Sequence, residues 1–132
     1  MSASRHRRVL RILAALTGIV LLVIGMRFLL VPHQAARFFG IPSGAASPDL
    51  HYVIGMRDIW LAAIIVILAA LSDWRGLTIW LVLGVFVCVA DAAIVAHSSG
   101  KATAVAFHLA SGIFCGALGF ACWRAYVSDR SR

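Results

Sequence analysis

Four apolar runs, each about twenty residues long, constrain this chain more than anything else in it. Lipid offers the peptide backbone no hydrogen-bond partners, so a segment crossing the bilayer must pair its N–H and C=O groups internally, and a helix of about 20 mostly apolar residues does so. The runs cover residues 9–31, 51–71, 77–96 and 102–123. Pro32 ends the first, and the polar stretches 72–76 and 97–101 separate the second from the third and the third from the fourth. The fold expected is all-α: a four-helix transmembrane bundle in a single integral membrane domain, residues 1–132.

Composition agrees. The chain is 62% hydrophobic and 13% charged, with a mean hydropathy of +0.95, whereas soluble domains carry about 25% charged residues. A soluble enzyme, a disordered chain and a disulfide scaffold are all poor fits. Arg7 and Arg8 before an apolar run also suit a signal peptide, but Arg27 stands where its cleavage region belongs, so a retained helix is expected.

The net charge of +7 does not indicate nucleic-acid binding, because its placement is topological. Arg5, Arg7, Arg8, Arg11, Arg75, Arg124, Arg130 and Arg132 fall on one side of the four runs; Arg27, Arg37 and Lys101 fall on the other. Basic residues concentrate on the cytoplasmic face, so both termini are expected in the cytoplasm and the chain in the cytoplasmic (inner) membrane. Cys88, Cys115 and Cys122 lie inside apolar runs without CxxC spacing and read as packing residues.

The connection from residue 32 to residue 50 carries its own signals. Pro32 suits a helix start, residues 33–39 suffice for two turns, and Gly40 can cap them. A short amphipathic helix in the first outer loop is expected, with Phe38 and Phe39 in the membrane interface and a flexible stretch from Pro42 to Pro48 after it.

Five ionisable residues interrupt the apolar runs: Arg27, Arg57, Asp58, Asp91 and His108. Each lies a few residues from the outer end of its run, placing all five roughly 6 to 10 Å inside one face at 1.5 Å per residue. Two arginines face two aspartates and one histidine, the least costly way to hold charge in hydrocarbon. Such a layer, near the outer face, suits a protein that binds or helps move a small polar or amphipathic ligand. Arg57 would hold an anionic group, Asp58 and Asp91 would orient it or exchange protons, and His108, which titrates near neutrality, would tune the site. Arg27 also reads as an end anchor, and the whole layer also reads as a lock on helix register in a structural or accessory subunit. His51 and His97 sit at run ends and read as interfacial.

Small residues predict where helices approach. His108, Gly112, Gly116 and Gly119 form a stripe on the fourth run, and Gly84, Cys88, Asp91 and Val95 one on the third. Gly55, Asp58, Ala62 and Ala69 form a weaker one on the second, which Val66 interrupts. No catalytic constellation stands out, no glutamate occurs in the chain, and metal-ligand spacings are missing. No cofactor and no metal are expected. The expected partners are membrane lipids and a small-molecule ligand, with a second copy or another membrane protein left open.

Gly55-Met56-Arg57-Asp58 resembles the Gly-x-Arg-Asp signature of small four-span membrane proteins of unknown function. Phe39-Gly40-Ile41-Pro42 resembles that family's first loop, and Asp91 and His108 fall at its other polar positions. The layout is more distantly similar to DoxX-like four-helix proteins. The resemblance implies the same four-span fold and supplies no established activity.

Overall fold

The computed structural model describes residues 3–42 and 48–131. Its elements are α1 (Ala3–Leu30), α2 (Pro32–Phe39), α3 (Pro48–Leu71), α4 (Trp74–Ser98) and α5 (Ala102–Arg130). The four long ones are each long and apolar enough to cross a membrane, so this is a multi-pass membrane protein. Large apolar side chains such as Leu71, Phe86 and Ile113 cover the outside of the bundle, where only lipid would keep them from water.

The helices outrun the apolar segments because a hydrogen-bonded helix can continue into the headgroup region. α1 begins at Ala3, ahead of the basic cluster that starts at Arg5, and α5 runs on to Arg130. α4 starts at Trp74 because the Asp73 carboxylate accepts the Gly76 backbone N–H at 2.9 Å, pairing one of the amides a helix start leaves free.

Two antiparallel pairs build the bundle. α1 packs along α3 and α4 along α5, while the pairs touch each other along far fewer residues. The closest approach is between α1 and α3, where the backbones of Gly25 and Gly55 nearly meet: a Cβ on Gly25 would lie 2.8 Å from the Gly55 carbonyl oxygen. On α5 the tight positions are Gly112 and Gly119, against Cys88 and Leu81, whereas Gly116 and Gly84 have room for a Cβ. The stripe that reads as the weaker one in the sequence therefore takes part in the tightest contact. Its partner is Gly25, one face of α1 that also carries Ala14 and Gly18.

Two apolar clusters close the ends. At the end holding both termini, Leu10, Ala14, Ile65, Leu77, Leu81, Leu118 and Cys122 pack together. There Arg7 pairs with Asp129, and Arg11 donates to the Ser72 hydroxyl at 3.1 Å. At the opposite end Phe28, Ala35, Ala36, Phe39, Val95 and Ala104 pack together.

α2 forms where the sequence predicts it, with Pro32 in its first turn and Gly40 in the left-handed region at φ 105° as its cap. Its placement differs from a surface helix. Phe38 is 61% exposed, as an interfacial residue would be, but Phe39 is 8% exposed and plugs the bundle end. It meets Phe28 edge-on at 5.7 Å and the His108 ring at 4.4 Å. Successive helical side chains point about 100° apart, so two adjacent phenylalanines cannot share one face. Of the stretch from Pro42 to Pro48, expected to be flexible, residues 43–47 lie outside the described residues.

Candidate functional site

Because the two helix pairs touch so little, a cavity of about 910 Å³ separates them. It runs along α1 from Leu13 to Phe28, roughly 20 Å at 1.5 Å per residue. The terminus-end cluster forms its floor, and Ala35 and Phe39 of α2 wall it at the other end. Its sides are apolar and include strongly exposed residues, among them Ile19, Val20, Trp60 and Leu83. The cavity therefore opens sideways between helices, toward the space that lipid occupies.

All five ionisable residues singled out in the sequence line it. Three form one cluster. Arg57 donates from Nε to Asp58 Oδ1 at 2.9 Å, and from Nη1 and Nη2 to the two oxygens of Asp91 at 3.1 and 3.2 Å. The fork of the guanidinium thus grips one carboxylate bidentately while its remaining nitrogen reaches back to the neighbour on its own helix. Asp58 and Asp91 are 3% and 7% exposed; the Arg57 side chain is one-third exposed. This bridge ties α3 to α4, and so joins the two helix pairs.

His108 belongs to the same cavity but not to the ion cluster. Its Nε2 lies 3.1 Å from the carbonyl oxygen of Phe39, the last residue of α2, which as a helix-end carbonyl has no partner further along. The Ser99 hydroxyl donates to the next carbonyl, that of Gly40, at 2.5 Å. His108 and Ser99 thereby hold α2 in place as the cavity's end wall. Arg27 sits exposed at the rim with its guanidinium 5.3 Å from the centre of the Phe38 ring, and makes no ion pair among the described residues. That geometry suits the anchor reading.

Three further residues line the cavity, two of them cysteines that the sequence marks only as packing residues. Cys88 and Cys115 are free thiols that face the cavity from α4 and α5. Trp80, deeper along α4, has an indole N–H that is buried with no partner among the described residues. Outside the cavity, His51 differs from its interfacial expectation: it is 1% exposed, stacked on Phe28 at 6.2 Å, with neither ring nitrogen partnered among the described residues. His97 lies exposed near the end of α4, as its position implied.

Comparison with curated proteins and with solved structures finds no match. One family model does match, over residues 18–122, a span that holds the four long helices' central parts, α2 and every member of the ion cluster. On that match, the chain belongs to the family described as a domain of unknown function, DUF4267.

Proposed function

We propose that this protein binds an amphipathic small molecule that reaches the cavity sideways from the lipid, with its polar group at Arg57, Asp58 and Asp91 and its apolar part between the helix pairs. The observation that carries this reading is the continuity of the cavity, which runs from exposed apolar residues to a buried ion cluster. Its volume lies within the range of about 300–1,000 Å³ typical of small-ligand sites. His108 acts as a positioning residue through α2, and Arg27 as a rim cation.

In the same proposal both termini face the cytoplasm across the inner membrane, supported by eight basic residues on the terminus side of the four spans against three on the other. Gly55-Met56-Arg57-Asp58 is the family's signature in this reading. It combines the glycine that admits α1 with two members of the ion cluster. A distant kinship with DoxX-like proteins rests on the four-span layout alone.

Photolabelling tests the proposal. The protein in lipid nanodiscs is exposed to an alkyl amphipath bearing a diazirine, and the labelled residues are mapped. Labelling is expected on the cavity walls of α1 and α5, and it is expected to fall severalfold in Gly84→Leu, which puts a side chain where a Cβ has room at 3.8 Å. Labelling confined to outward residues such as Phe86 and Ile113, and unchanged in Gly84→Leu, would refute it.

A second reading has one observation in its favour: Arg57 spends all three nitrogens on carboxylates of its own chain. That suits a structural or accessory subunit in which the cluster fixes the joint between helix pairs. Under that reading Gly84→Leu leaves both labelling and cellular role intact.

A further inference from the structure

The ion cluster does not balance. Arg57 supplies one positive charge to Asp58 and Asp91 together, and both carboxylates are buried. Of the other basic groups lining the cavity, Arg27 lies exposed at the rim against Phe38, and His108, close enough to act on Asp58 through charge, makes no hydrogen bond to it and spends its Nε2 on the carbonyl of Phe39. A buried carboxylate without a counter-charge is costly in low dielectric, so the cluster gains from one further positive charge, which a bare proton or a cationic group can supply.

The geometry also says where that charge goes. Arg57 engages both oxygens of Asp91 but only Oδ1 of Asp58, leaving Oδ2 outside its grip. An anionic head group would meet two carboxylates beside the guanidinium, which has only its two remaining Nη N–H bonds to offer. Aromatic rings from Phe39, Trp60 and Phe107 line the same cavity, and ring faces attract cations.

We infer that the occupant of the cavity is a cationic amphipath, an alkyl chain ending in a protonated amine, whose ammonium group donates to Asp58. This reverses the charge that Arg57 alone suggests in the sequence. It rests on the reading of the cavity as a lateral ligand site, and names the class of ligand that site takes.

The test is competition against the diazirine label in nanodiscs of neutral lipid. The competitors are dodecylammonium, dodecanol and dodecyl phosphate, which share one chain and differ in head-group charge. Dodecylammonium is expected to displace the label at a concentration about tenfold below that of dodecanol, with dodecyl phosphate weakest. Asp58→Asn keeps the bidentate Arg57–Asp91 bridge and neutralises the cluster. It is expected to erase the tenfold preference for the amine over dodecanol. Equal displacement by all three, or a lead for the phosphate, overturns the cationic class while the lateral site stands. Failure of all three to displace a label that Gly84→Leu also leaves untouched overturns both readings. Should Asp58→Asn not fold, the rank order on the unaltered protein still decides.

Discussion

Replacing Gly25 by alanine tests the packing on which the site's geometry depends. The added Cβ would stand 2.8 Å from the Gly55 carbonyl oxygen, 2.8 Å from Ile59 Cγ1 and 3.1 Å from the Ile59 backbone nitrogen. Two of these atoms are backbone, so they cannot rotate away. Ordinary contact begins near 3.4 Å, which leaves α1 and α3 to part by about 0.6 Å. A gap of that size forfeits about a quarter or more of each dispersion contact across the interface, and overpacking of this kind costs typically 1–3 kcal/mol. Alanine returns about 0.5–1 kcal/mol through its lower conformational entropy in a helix. The net expectation is a loss of about 1–2 kcal/mol.

Gly84→Ala and Gly116→Ala supply the contrast. Each new Cβ meets its nearest atom at 3.8 Å, and that atom belongs to a side chain. These variants keep only the entropic gain, so they should match or exceed the unaltered protein. The assay is reversible unfolding in mixed micelles, followed by tryptophan fluorescence. If Gly25→Ala is as stable as the unaltered protein, or if Gly84→Ala loses as much as Gly25→Ala, the ranking of the two interfaces is wrong.

Two further predictions concern the cavity. Arg57→Met leaves two buried carboxylates without their cation and should cost about 3–5 kcal/mol in the same unfolding assay, whereas Asp91→Asn leaves Arg57 its bond to Asp58 and should cost clearly less; equal losses would mean that the guanidinium is not the hub. His108→Ala unpairs the Phe39 carbonyl at a cost of about 1–3 kcal/mol and should loosen α2, seen as faster tryptic cleavage at the exposed Arg37, while an unchanged cleavage rate would show that His108 does not hold that helix.

The helices were legible because the bilayer imposes a length and a composition on any chain that crosses it, and α2 because proline and glycine mark its two ends. Pairing was not legible in the same way. A stripe such as Gly55, Ala62 and Ala69 says that some backbone can come close, but nothing in it names Gly25 as the partner or ranks it above Gly112. Phe38 and Phe39 are equivalent by type, and only the rotation of α2 against α1 and α5 decides which is buried. His108 was found by its burial cost, yet its partner is a carbonyl 69 residues away that no spacing rule reaches. Arg57, Asp58 and Asp91 were found together because charge at matched depth on facing helices has few ways to be stable except as a pair or a cluster. The cavity was invisible, since it arises from contacts that the two helix pairs do not make.

That missing contact has a consequence of its own. In water, apolar walls would collapse on each other, but between helices in lipid no comparable hydrophobic force acts, and association depends on packing and on interhelical polar contacts. Here the polar contact is the bridge from Arg57 to Asp91, which ties α3 to α4 near one end of the cavity. Along the rest of its length the walls have nothing across from them, and each unfilled ångström forfeits dispersion energy. A lipid chain alone could fill the apolar part, but it would leave the Asp58 carboxylate facing hydrocarbon. A small polar solute could meet that carboxylate, but it would leave the walls bare from Leu13 upward. Under the proposed function an occupant with both parts answers both demands: the charge cluster would select its head group, and the looseness between helix pairs would hold its chain.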